Sequence, residues 1–331
     1  MRKKTPRILF HPKDAPYLNS GYGVIAKHLV PRLADKYGKK NIILYCPVYI
    51  RDHTETWNGI KMLGGTRFDY GEDLVEHHYK EFDCSMLIQL GDWYFLGTVP
   101  RLAAEDRIVW VQAAPFDFLY IPAEMITNTV RFALKLVPFC NYAEQRFRQL
   151  GLTNVTPAIP LGIEPSIWKP IERSELSEVM RSLGFDQDSY NLLMVSANQH
   201  RKAIREQLEG IALFIKAHPD VKTRLYLHSY IHGERDLGQD LQDTGLKPYT
   251  VHPDQYVLTQ GGFSEQQMVK VFASADVVLN CCLEGFGLAH VQSQAVGVPC
   301  ITLAEGPGPE LVTFGAEVDS YVDFRDRLTK P

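Results

Sequence analysis

No apolar run in the sequence approaches the roughly 18 residues that a membrane-spanning helix needs. The opening stretch, MRKKTPRILF, has no apolar region of the secretory-signal type. Together these absences predict a cytoplasmic protein without a transmembrane segment. The six cysteines (Cys46, Cys84, Cys140, Cys281, Cys282 and Cys300) include no C-x-x-C pair, and four lie in or beside apolar strand-like runs. That usage predicts reduced, buried thiols over a disulfide framework. The eleven histidines supply neither H-E-x-x-H nor a Cys/His cluster, so no metal site is predicted. A P-loop and a G-x-S-x-G elbow are missing, and no G-x-G-x-x-G follows the first strand, which argues against a dehydrogenase. There is no repeat of solenoid length and no low-complexity tract. A net charge of −4 gives no general attraction to nucleic acid or anionic membrane.

What is present is an ordinary globular composition, 45% apolar and 22% charged, over 331 residues. That length suits two domains of about 150 residues better than one core. The most informative stretch is 275–312. An apolar strand, Val277 to Asn280, turns through Gly285 and Gly287 into a helix from about Leu288 to Gly297. A second strand, Cys300 to Leu303, follows at once. Strand, tight turn, helix, strand is a βαβ unit, which predicts a parallel sheet. The turn lies at a strand's carboxyl end, its glycines allow close approach to the backbone, and the helix start offers unpaired N–H groups. Those features predict an anion site fit for a phosphate or diphosphate. Glu284 would repel phosphate and is better matched to neutral hydroxyls, as on a sugar.

EGFGLAHVQSQAVGVPCI resembles the signature of the family 4 retaining glycosyltransferases, the "glycosyl transferases, group 1". The resemblance implies an α/β protein with two Rossmann-like domains of parallel sheet facing across a cleft, the GT-B architecture. In that family two acidic residues separated by seven others bind the nucleotide-sugar donor, the first at sugar hydroxyls and the second at the ribose. Glu284 matches the first. At the second stands Gln292, an amide in place of a carboxylate. A neutral hydrogen bond is worth about 1 kcal/mol and a charge-assisted one about 2, so this departure costs on the order of tenfold in affinity.

Taken in order, RILFHP (7–12) reads as a strand. Ser20, Gly21, Tyr22 and Gly23 then open a helix, and the resemblance places Gly21 and Gly23 at the donor phosphates or the acceptor. As an alternative, these glycines simply relieve a tight turn. NIILYCPV (41–48), CSMLIQL (84–90) and RIVWVQAA (107–114) read as further strands. Asp92 and Asp117 sit just beyond the last two, where open α/β sheets hold ligands. The resemblance makes Asp117 an acceptor-side or catalytic residue; a turn or N-cap aspartate is the other reading. Residues 155–170, with four prolines, resemble the family's interdomain hinge, with Gly162 lining the cleft. This places the domains at 1–165 and 166–331.

In the second domain, 174–184 reads as a helix, 191–197 and 223–230 as strands, and a long amphipathic helix follows 198. Arg201 and Lys202 stand at its start, where the helix dipole disfavours cations. In the family an arginine–lysine pair there neutralises the donor diphosphate, which would remove the conflict. Residues 256–276 read as strand, loop and helix, and the resemblance puts Thr259, Gln260 and Gly261 at the nucleotide base. The Asp186-Gln187-Asp188 run, a metal motif in the other major glycosyltransferase fold, stands in a polar loop and reads as a turn.

The resulting expectation is a metal-independent retaining transferase moving sugar from a nucleotide diphosphate, with no further cofactor. Glu284, Lys202 and Asp117 would be its catalytic residues. Gly21, Gly23, Arg201, Gln260, Gly285, Phe286, Gly287, Leu288 and Gln292 would contact the donor. The acceptor is open: glycan, lipid, small molecule or modified, phage-type DNA. A degenerate, non-catalytic sugar-nucleotide-binding module is the non-enzymatic alternative, motivated by Gln292 and by the short run after Glu310. Family members usually continue further, so the chain would be a compact variant or incomplete.

Overall fold

The computed structural model describes residues 5–66, 74–95, 97–117, 123–185 and 187–319. Asp186 and the D-x-D reading therefore lie outside the described residues, whereas every candidate site residue lies inside them. The chain divides into two compact units, Met1–Leu161 and Gly162–Pro331, and residues 157–172 run between them without helix or strand.

The first unit holds one seven-stranded sheet. Its strands are β1 (Ile8–Pro12), β2 (Ile42–Tyr45), β3 (Thr54–Trp57), β4 (Ile60–Leu63), β5 (Met86–Leu90), β6 (Trp110–Ala114) and β7 (Lys135–Pro138), in the spatial order β3-β4-β2-β1-β5-β6-β7. The central β1 is buried at all five positions, as expected for a parallel strand covered on both faces. One expectation needs correcting: β3 and β4 pair antiparallel. Asn58 and Gly59 make their turn with φ of 49° and 77°, the left-handed pair that a two-residue hairpin requires.

The second unit holds six strands, all parallel: β8 (Tyr190–Val195), β9 (Thr223–His228), β10 (Thr250–Val251), β11 (Val277–Asn280), β12 (Cys300–Leu303) and β13 (Gly315–Val318). Their order is β10-β9-β8-β11-β12-β13. Register aligns Tyr226, Leu193, Val278 and Cys300 in one row, and these belong to a core with Trp168, Met180 and Phe272. Their neighbours Leu192, Met194, Leu225, Leu227 and Val277 point the other way, into a second core with Leu208 and Leu237. The two-residue side-chain period thus buries both faces of the sheet. A second correction concerns Tyr256–Thr259, which is helix (Gln255–Thr259), not strand. Asp254 caps it by accepting from the Tyr256 N–H at 2.8 Å, and Tyr256 is 69% exposed, so the short apolar run was a poor guide to strand.

No helix among the described residues is long and apolar enough to cross a membrane. All six cysteines are free, five of them buried.

Candidate functional site

Strand order locates the site in each unit. From β8 the chain proceeds to β9 on one side and later returns to β11 on the other, so connections diverge between β8 and β11. At such a switch point the loops leaving the carboxyl ends part and leave a crevice. The β8 loop carries Arg201 and Lys202; the β11 loop carries Glu284, Gly285, Phe286 and Gly287.

The structure joins these loops directly. Lys202 Nζ lies 2.5 Å from Glu284 Oε1, with the two side chains 8% and 16% exposed. Arg201 donates to the Leu283 carbonyl at 3.1 Å. Burial pushes the Glu284 carboxyl up, but the Lys202 ammonium and the Arg201 guanidinium outweigh it and hold the group down at about 2. The Cys282 thiol also reaches Oε1, at 3.5 Å, while no partner among the described residues takes Glu284 Oε2. One carboxylate oxygen therefore positions the lysine and the other is open to a ligand.

This geometry amends the electrostatic argument. Lys202 is not on the helix but ends a 3-10 turn, His200–Lys202; Ala203 follows at φ 48°, ψ 38°, and the helix Ile204–Ala217 begins after it. A non-glycine residue in that left-handed region costs about 1–3 kcal/mol and must be held by its surroundings. Gln207 supplies one hold: it donates to the Lys202 carbonyl at 2.9 Å and accepts from Cys281 N–H at 3.0 Å, clipping the β8 loop to β11. Sequence reading passed Gln207 over. The available signal was an amide on the apolar stripe of Ile204, Leu208 and Ile211, which buries it.

Beyond Glu284, Gly287 (φ 91°) starts the helix Leu288–Ala295 with no side-chain cap, leaving its first N–H groups to another acceptor. A Cβ on Gly287 would overlap His290 Nδ1. That ring is buried and fixed through Nε2 by Thr302 Oγ1 at 2.8 Å and Asn280 Nδ2 at 3.3 Å. Burial lowers its pKa, so it is neutral at pH 7. Phe286 is buried among core side chains, so its side chain anchors the turn. The helix's two glutamines differ. Gln294 is fully committed, donating to the His290 and Leu311 carbonyls and accepting from Thr313 and Phe314 N–H. The Gln292 side chain has no hydrogen-bond partner among the described residues. Gln260 is exposed at the end of the helix Gln255–Thr259, which Tyr230 ties to β9 by a 2.9 Å bond to the Leu258 carbonyl. No hydrogen bond among the described residues links it to Glu284 or Lys202.

The first unit repeats the plan. Connections diverge between β1 and β5, and there Lys13 Nζ meets Asp92 Oδ2 at 2.6 Å while Tyr22 donates to Asp92 Oδ1 at 2.7 Å. Burial, then Asp92, then the nearby Asp117 charge push the Tyr22 phenol well above its usual pKa, so it stays a donor. The structure thus groups Asp92 and Asp117 around Tyr22, and both carboxylates are buried. Lys13 falls in no local motif, and Tyr22, inside the Ser20–Gly23 run, has a role that only its contact with Asp92 discloses. Gly21 begins the helix Gly21–Tyr37. Gly23 has a steric reason to be glycine, since a Cβ there would overlap the Leu18 carbonyl and crowd that of Ala15.

The depressed Glu284 pKa has a signed consequence. A carboxyl whose folded pKa lies below its unfolded value of 4.5 contributes stability above that value and loses it as pH falls towards 2. Denaturant unfolding at stepped pH is expected to show wild type losing its advantage over Glu284→Gln across pH 5 to 2.

Residues 200–326 match the family described as "Glycosyl transferases group 1". A GDP-mannose-dependent monoacylated alpha-(1-6)-phosphatidylinositol monomannoside mannosyltransferase of Corynebacterium glutamicum is 23% identical over 181 residues, which are 52% of this chain and 45% of that one. A D-inositol 3-phosphate glycosyltransferase of Thermomonospora curvata is 27% identical over 188 residues, 55% of this chain and 41% of the relative. The chain thus spans less than half the length of these curated relatives. Over nearly its whole length it superposes on Anabaena HepE, solved in complex with UDP and glucose, at TM-score 0.71 and 16% identity, covering 95% of this chain and 86% of that one. The lipopolysaccharide-biosynthesis glycosyltransferase WaaG gives TM-score 0.69 at 14% identity, covering 98% and 90%. The segment matched to the glycosyl transferases group 1 carries both Lys202 and Glu284, and the chain as a whole has the GT-B fold.

Proposed function

We propose that the protein transfers a sugar from a nucleoside-diphosphate donor to an acceptor hydroxyl with retention at the anomeric carbon. The observation carrying this reading is the Lys202–Glu284 pair at the β8/β11 switch point, beside the uncapped helix start at Leu288. Lys202 has further N–H donors besides the one directed at Glu284, and with Arg201 and the amides of Gly285 to Leu288 it would stabilise charge on the departing diphosphate. Glu284 Oε2 would accept from a sugar hydroxyl and Gln292 from the ribose. In the bond exchange, the anomeric carbon–oxygen bond to the diphosphate breaks and one to the acceptor forms on the same face. The acceptor's proton passes to the departing phosphate oxygen, so no enzymic nucleophile is required. Asp117, beside Tyr22 and Asp92 in the first unit, would serve the acceptor side. None of these steps calls for a metal, and the buried free thiols suit a cytoplasmic setting.

The test is release of nucleoside diphosphate from UDP- and GDP-sugars in the absence of acceptor. Slow release that Lys202→Ala abolishes supports a transferase. Tight donor binding with no release under any condition supports the non-catalytic module instead. Gln292→Glu is expected to tighten donor binding about tenfold by making the ribose contact charge-assisted, as read by calorimetric titration.

A further inference from the structure

The helix Val75–Glu81 in the first unit gathers three side chains that the donor-site reading does not use. His77, His78 and Glu81 each offer one ligand-type atom, all within 4.8 Å of one another. Both imidazoles address the same oxygen: His77 Nε2 lies 3.2 Å and His78 Nδ1 3.7 Å from Glu81 Oε2.

His78 makes this more than a surface cluster. It is 8% exposed, and its Nε2 lies 3.1 Å from the Gly64 carbonyl. A carbonyl only accepts, so Nε2 carries the proton and Nδ1 presents a lone pair. That Nδ1 is sealed from solvent and has no hydrogen-bond partner among the described residues. A lone pair thus faces a carboxylate oxygen beyond hydrogen-bonding range, an arrangement with no proton to bridge it. A backbone carbonyl that fixes the tautomer and aims the other nitrogen is also how metal-ligating histidines are held. Tyr45 packs against the ring at 5.2 Å and Phe82 at 6.4 Å, keeping it in place. The remaining charges are committed elsewhere: Glu76 is paired with Lys80 and Arg107.

We propose that His77, His78 and Glu81 bind a divalent transition-metal ion, zinc(II) being the best match to two imidazoles and one carboxylate. Zinc–nitrogen and zinc–oxygen bonds of about 2.0–2.2 Å in tetrahedral geometry place ligand atoms roughly 3.4 Å apart. The 3.2 Å pair already fits, and the exposed Glu81 and His77 side chains can close on the fixed His78. A fourth position remains for water or an external ligand. The expectation from sequence that there is no metal site rested on the absent H-E-x-x-H and Cys/His spacings. It did not cover a compact H-H-x-x-E on a single helix.

The experiment is titration of the metal-stripped protein with zinc(II) by calorimetry and with cobalt(II) by visible absorption. It is repeated on His77→Ala and Glu81→Gln, whose side chains are exposed and whose metal-free melting points serve as folding controls. One equivalent bound in the micromolar range by wild type, weakened at least tenfold in both variants, with a zinc-dependent rise in melting point only in wild type, is the expected result. No saturable binding by wild type, or binding unchanged in both variants because other histidines hold the ion, would overturn the site.

Discussion

Lys202→Met is expected to destabilise the protein by about 3–5 kcal/mol and to abolish nucleotide-sugar binding. The stability loss follows from what is left behind. Glu284 keeps only 16% of its side chain exposed, and its carboxylate is held ionised by the 2.5 Å contact with Lys202. Removing Lys202 takes away the larger of the two charges that hold this buried anion and leaves only the Arg201 guanidinium, which also donates to the Leu283 carbonyl. The double variant Lys202→Met/Glu284→Gln removes both charges and is expected to regain most of the lost stability while still failing to bind donor. That separation distinguishes a pair maintained for a ligand from one maintained for the fold. Denaturant unfolding and donor titration on the same three proteins read it directly.

Gly287→Ala is the second large effect, expected at about 2–5 kcal/mol. Two causes act at once. The backbone there has φ 91°, a conformation L-residues rarely adopt, and the new Cβ would overlap His290 Nδ1. The imidazole cannot retreat, being buried and bonded to Thr302 and Asn280. Relief must come from the turn Gly285–Leu288, whose amides are the proposed diphosphate contacts, so donor binding falls with stability. Adding His290→Ala opens the space but leaves the φ strain, so only part of the loss should return. Full recovery would show that the turn's conformation is not strained by alanine.

The βαβ run from Val277 to Leu303 was legible because every determinant is local: two apolar runs, a glycine turn and a glycine stop. The Lys202–Glu284 pair was reachable only through the family resemblance, since the two residues lie on different loops and meet through sheet topology. Lys13 and Tyr22 around Asp92 show the converse, long-range contacts that no local pattern pairs with the aspartate. The β3–β4 hairpin had a strong local signal in Asn58-Gly59 that the expectation of parallel sheets obscured. At Tyr256–Thr259, the Asp254 cap decided helix over the apolar run.

The most direct test of the central claim is thermal unfolding of wild type, Lys202→Ala and Glu284→Ala against UDP- and GDP-sugars and the free diphosphates. A ligand at about 100 times its dissociation constant stabilises by about 2.7 kcal/mol, a readily visible shift. A sugar nucleotide that raises the wild-type midpoint and fails to raise either variant's is the predicted result. A wild type unmoved by every donor, or variants that respond as it does, would contradict a donor site built on the Lys202–Glu284 pair.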